Sequence, residues 1–404
     1  LIESAMTAGF LSYGANVKML GVMPTPAVAY LTKKFKADAS VVISASHNTF
    51  EFNGVKYFSN KGMKIPDELE EEIEEVMDSG KINELTAVND KIGTSEIATE
   101  LLDEYVYFFR KNFEEDLERL NRDDFVVAVD TANGATSVVA DKVFTVLGIK
   151  HHILNDSPNG ININDGCGST HLEMLKQYVI DKKCSLGIAY DGDGDRCLAV
   201  DENGNEIDGD KIIAIISQYL KSKGKLNKDT IVATVMSNLG LNKYAKQNEL
   251  NFVQTKVGDR YVLEEMLKNG YNLGGEQSGH VICLDYNPTG DGILTSLMII
   301  RAILEQGKKA SEVASIMKAY PQVLINAKVS SDKKYDFDKD EEIKSAIEKL
   351  NKEFDGNGRV LIRASGTEPL VRVMIEGEDQ DYIKQKAQTI ANLIEQKLGD
   401  GVKK

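Results

Sequence analysis

Residues 186–200 have the sequence LGIAYDGDGDRCLAV, which places Asp191, Asp193 and Asp195 at every second position between two apolar runs. Both runs are typical of β-strands. If the chain between them stays extended, its side chains alternate and the three carboxylates point to one side. Converging carboxylates repel one another unless a divalent cation lies between them, and ligation by oxygen alone favours Mg²⁺ or Ca²⁺ over zinc or copper. The segment therefore predicts a metal site between two strands.

This aspartate loop, Asp191–Arg196, has two other interpretations. It could be an acidic surface turn between strands, which the residues alone leave open. An EF-hand is suggested by Glu202 at the twelfth position, but that calcium loop needs glycine at its sixth position, where Arg196 stands. The flanks are also typical of strands rather than helices, so we reject the EF-hand.

Length and charge limit the possible classes of protein. The chain has 404 residues, more than one hydrophobic core usually accommodates, so two to four domains are expected. Its formal net charge of −15 argues against general binding to nucleic acids or anionic membranes, because both require basic surfaces. We expect neither partner. An anionic substrate would need a local basic pocket.

The predicted location is the cytoplasm. No apolar run is long enough to span a bilayer, and no signal peptide is expected. Four cysteines show neither zinc-like pairing nor a dense disulfide framework, which predicts reduced thiols: Cys167, Cys184, Cys197 and Cys283. The chain begins at Leu1, inside a helix predicted over 2–13, so we expect that an upstream segment is missing.

Strand-like runs alternate with helical periodicity, which predicts an α/β fold with helix-covered sheets. Three apolar runs, at 41–43, 126–129 and 231–235, each lead into a loop of small polar residues. Ligands collect at the carboxyl ends of such strands, and the recurrence predicts three related modules. The predicted domains are three α/β domains at 1–96, 97–204 and 205–319, and a smaller C-terminal α+β domain at 320–404.

The serine loop, Ser44–Asn48, follows the first of these strands, and Lys56 stands a turn later. Small residues at the end of a strand expose a hydroxyl, and His47 and Lys56 can lie near a transferring phosphoryl group. Side chains of neighbouring residues diverge and no G-x-S-x-G elbow is present, so a hydrolase triad is not predicted. The alternative is a polar loop whose side chains bind turn backbone groups.

The glutamate loop, Glu276–His280, follows two glycines and contains a carboxylate, a hydroxyl and an imidazole. Glu276 could accept hydrogen bonds from two neighbouring sugar hydroxyls, and the glycines permit close approach of a flat ligand face. The alternative is a tight turn before a strand at 281–284.

The arginine loop, Arg363–Pro369, lies between predicted strands at 360–362 and 370–375, the second of which carries Arg372. Its backbone amides, two hydroxyls and a guanidinium are suited to a phosphate dianion, which would supply the basic pocket that an acidic chain needs. The alternative is a hairpin loop with a solvated arginine. Lys256–Arg260 is a further, weaker polar loop, which either lines the same cleft or caps the helix that begins near Tyr261.

Taken in this order, the serine, aspartate, glutamate and arginine loops closely resemble those of the α-D-phosphohexomutase superfamily. The serine loop, the glutamate loop and the sequence NDGCGSTH at 164–171 resemble its phosphoglucosamine mutase branch more than phosphomannomutases. The resemblance covers the whole chain. It implies four domains with one active-site loop from each.

The resemblance also implies roles for individual residues. Ser46 would carry a phosphoryl group whose oxygen joins the three aspartates in holding one Mg²⁺. Arg196 would steady this phosphoserine, while Lys56 and His47 would transfer protons. The substrate, a phosphorylated hexosamine, would be bound by the remaining residues: Glu276, Ser278, His280, Arg363, Ser365, Gly366, Thr367 and Arg372.

The implied reaction interconverts glucosamine 6-phosphate and glucosamine 1-phosphate through a bisphosphorylated sugar, which also acts as activator. Alternatives are a phosphoglucomutase or phosphomannomutase, a Mg²⁺-dependent sugar phosphatase, and a silent sugar-phosphate sensor. Two departures stand out. The family's opening segment, with its Gly-Thr-Asp-Gly-x-Arg loop, is absent before Leu1, and Thr49 replaces the proline of many relatives. A homodimer is possible.

Overall fold

The computed structural model describes residues 1–80, 86–365 and 368–399. They divide into two compact units. The first unit comprises Leu1–Ser237 and Ala245–Ile316, and the second comprises 238–244 and the described residues from 317 onward.

The helices of the described residues are α1 (Ile2–Ser12), α2 (Thr25–Phe35), α3 (Asp67–Asp78), α4 (Leu102–Glu118), α5 (Ala140–Val146), α6 (Glu173–Lys182), α7 (Gly209–Ser222), α8 (Leu239–Gln247), α9 (Asp259–Asn269), α10 (Gly292–Gln306), α11 (Ala310–Ala314), α12 (Glu341–Phe354) and α13 (Gln380–Leu398). The strands are β1 (Val17–Met19), β2 (Ala39–Ile43), β3 (Val55–Ser59), β4 (Ser95–Ile97), β5 (Val126–Asp130), β6 (Lys150–Leu154), β7 (Leu186–Tyr190), β8 (Cys197–Asp201), β9 (Glu206–Ile207), β10 (Thr230–Thr234), β11 (Asn251–Thr255), β12 (Leu273–Gly275), β13 (Val281–Cys283), β14 (Gln322–Lys328), β15 (Gly358–Ala364) and β16 (Leu370–Gly377).

Antiparallel strand pairs carry the three candidate loops of the first unit. Strands β2 and β3 pair antiparallel, with Ile43 opposite Val55, so the serine loop lies at the end of a hairpin. One sheet has the order β6-β5-β7-β8-β9 and another has the order β11-β10-β12-β13. In both, three parallel strands are followed by an antiparallel one, which places the aspartate loop between β7 and β8 and the glutamate loop between β12 and β13.

Helix α10 supports the aspartate and glutamate loops from inside the protein. Every residue from Gly292 to Ile303 is buried, because the helix is apolar on nearly all sides and packs against both β8 and β13. Asp291 caps its N-terminus by accepting a hydrogen bond from the Leu294 amide at 2.9 Å. The Gly292 amide donates to the carbonyl of Gly194 at 2.9 Å, so the start of the helix touches the aspartate loop directly.

The second unit is built on an antiparallel sheet of order β14-β16-β15. Helices α12 and α13 cover it with an apolar core that includes Ile343, Val373 and Ile390. The arginine loop connects β15 to β16, whose register places Arg363 opposite Arg372.

The predicted α/β fold is confirmed, and the predicted strands appear with ends shifted by one or two residues. The aspartate loop is not extended, so an alternation of side chains does not explain how its carboxylates converge. The Gly194 amide donates to the Asp191 carbonyl at 3.0 Å and Gly194 adopts φ +72°, so the glycines form a tight turn. The predicted domain boundaries stay predictions. Among the described residues, no helix has the length and apolar character needed to cross a membrane.

Candidate active site

The turn of the aspartate loop brings its three carboxylates together in the protein interior. Asp191 is fully buried, and Asp193 and Asp195 are 3% and 4% exposed. One carboxylate oxygen from each of the three residues lies within 4.8 Å of the other two. The Arg196 amide donates to Oδ1 of Asp191 at 3.0 Å, which fixes that side chain across the turn.

The outer oxygens of two aspartates are held by neighbouring residues. Nζ of Lys56 donates to Oδ2 of Asp193 at 2.5 Å and to Oδ2 of Asp195 at 3.0 Å. The Thr25 hydroxyl donates to Oδ2 of Asp193 at 2.6 Å. The two Oδ1 atoms are buried and have no hydrogen-bond partner among the described residues. Oδ1 of Asp193 is therefore free, whereas Oδ1 of Asp195 lies 3.6 Å from Nδ1 of His280.

Crowding of negative charge shifts the acid–base equilibria of the cluster. Burial, together with repulsion from Asp195 and Asp193, raises the pKa of Asp191 well above its ordinary value. Burial alone would also raise the pKa of Asp195, but Lys56 and His280 hold it well below its ordinary value. Burial alone would lower the pKa of Lys56, yet the charges of Asp195 and Asp193 raise it. The site thus contains more negative charge than its one lysine neutralises.

These residues fit a divalent cation. Buried carboxylates are normally paired or bound to metal, and a buried Oδ1 of Asp193 without a hydrogen-bond partner among the described residues is difficult to explain otherwise. The donor set consists of oxygen alone, which suits Mg²⁺ and does not suit soft transition metals. Asp191, Asp193 and Asp195 are the residues that would hold the ion.

The serine loop lies directly against this cluster. The Ser46 hydroxyl donates to Oδ2 of Asp191 at 2.9 Å, and Nδ1 of His47 lies 3.4 Å from the same hydroxyl oxygen. Ser46 has φ +55°, a left-handed conformation that non-glycine residues rarely adopt. Such strain is concentrated at functional sites, where the surrounding structure enforces it.

Two basic side chains accompany the serine. Nε of Arg196 lies 4.0 Å from Oδ2 of Asp191. Burial and the nearby charge of Arg196 lower the pKa of His47 below its ordinary value, so its imidazole is mostly neutral near pH 7. A neutral imidazole beside a hydroxyl can accept and return a proton.

The glutamate loop contributes a second set of polar groups. Oε1 of Glu276 accepts from the Gly258 amide at 3.1 Å. The Ser278 hydroxyl oxygen is buried and has no partner among the described residues. Gly279 has φ +92°, and a Cβ there would lie 2.4 Å from the Cys197 carbonyl, so only glycine lets this loop approach the end of the aspartate loop.

His280 connects the glutamate loop to the carboxylate cluster. Its Nδ1 lies 3.6 Å from Oδ1 of Asp195, and its Nε2 lies 3.5 Å from Oδ2 of Asp259. In its neutral form, Nε2 accepts from the Gly290 amide at 3.0 Å. Burial alone would lower the pKa of His280, but the two carboxylates raise it. The visible contacts of this imidazole are therefore with protein groups, and its binding of substrate stays a prediction.

The arginine loop belongs to the second unit and is described by itself. Ser365 is buried, its amide donates to the Leu370 carbonyl at 2.8 Å, and its hydroxyl accepts from the Glu368 amide at 3.3 Å. Burial and the like charge of Arg372 opposite lower the pKa of Arg363. Two guanidinium groups facing each other favour a bound anion. Gly366 and Thr367, also predicted in this site, lie outside the described residues.

Family models match nearly the whole chain. The models of phosphoglucomutase/phosphomannomutase α/β/α domains I, II and III match residues 1–84, 103–204 and 208–320, respectively. The model of the phosphoglucomutase/phosphomannomutase C-terminal domain matches residues 324–393. The phosphoglucosamine mutase of Ruminiclostridium cellulolyticum is 52% identical over 398 residues, covering 98% of this chain and 88% of the relative. That of Clostridium beijerinckii is 53% identical over 397 residues, with the same coverage.

The chain belongs to the phosphoglucosamine mutase family. The predicted recognition, the four-domain fold class and the assignment as an isomerase are thereby confirmed.

Solved structures show the same fold for this mutase at low sequence identity. A phosphoglucomutase/phosphomannomutase family protein from Burkholderia thailandensis is 20% identical, with a TM-score of 0.78 over 98% of this chain and 86% of that protein. Aspergillus fumigatus N-acetylphosphoglucosamine mutase, in complex with GlcNAc-6P and magnesium, is 19% identical, with a TM-score of 0.64 over 97% and 98%.

Most of the predicted residues of this mutase meet in the first unit: Ser46, His47, Lys56, Asp191, Asp193, Asp195, Arg196 and His280. Three contributors were not predicted from the sequence. Thr25 and Asp259 contact site residues from distant segments, and Asn164 was quoted only as part of a motif. The prolines on both sides of Thr25 were a possible signal, since they fix its backbone. For Asp259 the signal was the weaker polar loop Lys256–Arg260, which contains it.

Proposed function

We propose that this mutase interconverts glucosamine 6-phosphate and glucosamine 1-phosphate through a phosphoserine at Ser46. The observation that carries the proposal is the 2.9 Å hydrogen bond between Ser46 and Asp191, at the edge of a buried cluster of three carboxylates. A serine carrying a phosphoryl group there would place phosphate oxygens beside the carboxylates, an arrangement that is stable only with a cation between them.

The names of the similar proteins support the choice of sugar and cation. The curated relatives at 52–53% identity are phosphoglucosamine mutases. The Aspergillus fumigatus enzyme was solved with GlcNAc-6P and magnesium. We therefore propose a phosphorylated hexosamine as substrate and one Mg²⁺ at Asp191, Asp193 and Asp195. When bound, this ion would withdraw charge from the transferring phosphoryl group.

The chain's own residues would direct the transfer. A hydroxyl of the sugar phosphate attacks phosphorus, the bond from phosphorus to Oγ of Ser46 breaks, and a bisphosphorylated sugar forms. The proton lost by the sugar hydroxyl balances the one gained by Oγ. His47, 3.4 Å from that oxygen, is suited to transfer it. Lys56 was also predicted to transfer protons, but Asp195 and Asp193 raise its pKa, so we propose that Lys56 stays charged and stabilises the phosphoryl oxygens together with Arg196.

The second half of the reaction needs the intermediate to turn over, so that its other phosphate faces Ser46. We propose that Glu276 and Ser278 bind sugar hydroxyls in both orientations, with His280 beside them. In the second unit, we propose that the phosphate not being transferred is bound by Arg363, Ser365, Gly366, Thr367 and Arg372. The facing guanidinium groups and the buried Ser365 support this assignment.

The bisphosphorylated sugar and the product have further proposed roles. The bisphosphorylated sugar would also act as activator, because it rephosphorylates Ser46 whenever the intermediate escapes. The product would enter the synthesis of UDP-N-acetylglucosamine and cell-wall precursors in the cytoplasm. The domain boundaries at 96, 204 and 319 and the homodimer remain predictions.

Intact-mass measurement tests the phosphoserine. We expect one covalent phosphate, mapped to Ser46, after incubation with glucose 1,6-bisphosphate. Ser46→Ala should remove both this phosphate and the mutase activity, whereas Ser157→Ala, at an exposed serine, should retain both. Substantial activity in Ser46→Ala would contradict the mechanism.

Product analysis separates this mutase from its alternatives. We expect faster turnover of glucosamine 6-phosphate than of the glucose or mannose analogue. The reverse order would identify a phosphoglucomutase or phosphomannomutase. Sustained release of inorganic phosphate without isomerisation would identify a sugar phosphatase.

A further inference from the structure

Asn164 contacts the serine loop from a distant part of the chain. Its Nδ2 donates to the carbonyl of Ser46 at 3.0 Å and to that of Asn48 at 2.8 Å. The side chain is almost completely buried, so water does not compete for these bonds. Because an asparagine amide has two N–H donors, both carbonyls are satisfied by one group.

These two carbonyls belong to the turn that positions Ser46. The Asn48 amide donates to the Ala45 carbonyl at 3.1 Å, which closes a turn with Ser46 and His47 at its centre. Ser46 is held there at φ +55°. The Ser46 amide donates to the Ser44 hydroxyl at 2.8 Å. The carbonyl side of the turn depends on Asn164.

Asn164 is itself fixed to the sheet that carries the aspartate loop. Its amide donates to the carbonyl of Ala132 at 3.0 Å, just beyond β5, and its own φ is +57°. The Asp130 carboxylate anchors this region by accepting from the amides of Ala132 and Gly168, each at 2.9 Å. The position of Asn164 is thus set by β5 rather than by the serine loop.

Gly192 shows that the aspartate loop is shaped around this contact. A Cβ at Gly192 would lie 2.6 Å from Nδ2 of Asn164 and 2.7 Å from the carbonyl of Ser46. Glycine between two of the clustered aspartates therefore leaves room for the bond between Asn164 and the serine loop. The same small volume is bordered by Ser46, Asn164 and the aspartate loop.

We infer that Asn164 is a positioning residue, which holds Ser46 in its left-handed conformation so that the hydroxyl points at Asp191. This inference rests on the proposed function for its effect on catalysis. The claim that Asn164 holds the backbone of the Ser46 turn does not depend on the reaction. Loss of the Asn164 side chain should let the turn relax, so that the Ser46 hydroxyl populates its reactive position only part of the time.

Three substitutions separate this role from backbone strain. Asn164→Gly removes the side chain but tolerates the left-handed backbone, whereas Asn164→Ala adds strain to the same loss. Asn164→Asp keeps the shape and replaces both donors by an acceptor that repels the two carbonyls. Asn89→Gly is the matched control, because Asn89 has φ +56°, is exposed and lies outside the site.

Kinetics on the intact protein measure the catalytic effect. For Asn164→Gly we expect kcat and the rate of Ser46 phosphorylation by glucose 1,6-bisphosphate to fall about 10- to 100-fold, with KM changed less than about 3-fold. Asn164→Asp should lose at least as much. Asn89→Gly should stay within about 2-fold of the unsubstituted protein. An Asn164→Gly variant that keeps more than half of both rates would overturn the inference.

Hydrogen exchange gives a readout that does not depend on activity. Amides of residues 44–50 should exchange faster in Asn164→Gly and Asn164→Asp, and unchanged exchange in a folded variant overturns the inference whatever the kinetics. If the unsubstituted protein shows neither phosphorylation nor mutase activity, the proposed function fails, and the exchange result alone decides the positioning role. Should Asn164→Gly not fold, the isosteric Asn164→Asp decides it.

Discussion

The aspartate loop and the glutamate loop occupy equivalent places in two sheets of the same order. Each joins the last of three parallel strands to an antiparallel strand, β7 to β8 in one sheet and β12 to β13 in the other. The two loops also touch, since the Cys197 amide donates to the Gly279 carbonyl at 3.0 Å. Repetition of one topology therefore places two loops side by side.

Their chemistry differs completely. The aspartate loop concentrates three buried carboxylates, which require a cation or lysine to be stable. The glutamate loop presents one carboxylate and one hydroxyl without a partner among the described residues, both suited to hydrogen bonding with a sugar, while its imidazole faces Asp195. The comparison shows that the topology of the sheet determines where a loop lies, while its side chains determine whether the loop is suited to binding a cation or to hydrogen bonding with a sugar.

The largest expected difference between the loops is in catalysis. Asp193→Asn should lower kcat by about 10³-fold, because it removes a full charge from the cation site, corresponding to about 4 kcal/mol of transition-state stabilisation. The same carboxylate-to-amide change at Glu276 should mainly raise KM, by about 10-fold. Steady-state kinetics across a range of Mg²⁺ concentrations measure both. Equal effects on kcat would remove the distinction between the loops.

The contact between the loops can be broken at Gly279. Gly279→Ala combines φ +92° with a Cβ placed 2.4 Å from the Cys197 carbonyl. We expect it to lower the free energy of unfolding by about 2–4 kcal/mol. Gly160→Ala is matched in backbone, with φ +93° and nothing within 4 Å of the added Cβ, and should lower it by only about 1 kcal/mol. Urea denaturation compares the two, and equal losses would mean that the contact is unimportant.

The helix beneath both loops contributes a pH dependence. Burial raises the pKa of Asp291 to about 6 from an ordinary value of 3.8, although the Leu294 amide and Asn287 donate to it. Its folded-state pKa exceeds the unfolded one, so its stabilising effect is complete below about pH 4 and is lost as pH rises through 6. Asn keeps the cap without titrating.

Asp291→Asn should therefore remove a change of about 2–3 kcal/mol in the free energy of unfolding between pH 4 and 7. Denaturation series at several pH values, compared between the variant and the unsubstituted protein, provide the measurement. Parallel pH profiles for the two proteins would show that Asp291 does not titrate in this range.

The smallest expected effect separates recognition from folding. Ser278→Ala removes a buried hydroxyl that has no partner among the described residues. We expect the free energy of unfolding to stay the same or to rise by up to about 1 kcal/mol, while KM rises by about 10-fold. Thermal unfolding measures the change in stability, and steady-state kinetics measure the change in KM. A clear loss of stability would show that the hydroxyl is satisfied within the protein.

Local sequence was sufficient for much of the fold and part of the site. Strand ends were predicted within one or two residues where apolar runs met glycine-rich loops, as at 186–190. The spacing of the three aspartates predicted a metal site, whereas Ser46 was predicted only through the resemblance of the four ordered loops to the phosphohexomutase superfamily. The conformation between the aspartates was not, because glycine permits an extended chain and a tight turn about equally well.

By itself, the sequence of this protein determined its α/β architecture through the periodicity of its apolar residues, and its family and candidate site residues through the order of four loop motifs. Only the tertiary structure decided that Oδ1 of Asp193 is free, that Thr25 and Asn164 support the site, and that His280 faces Asp195. These contacts join residues more than 80 positions apart, and no local pattern encodes a distance of a few ångströms between segments that meet only when the sheets assemble.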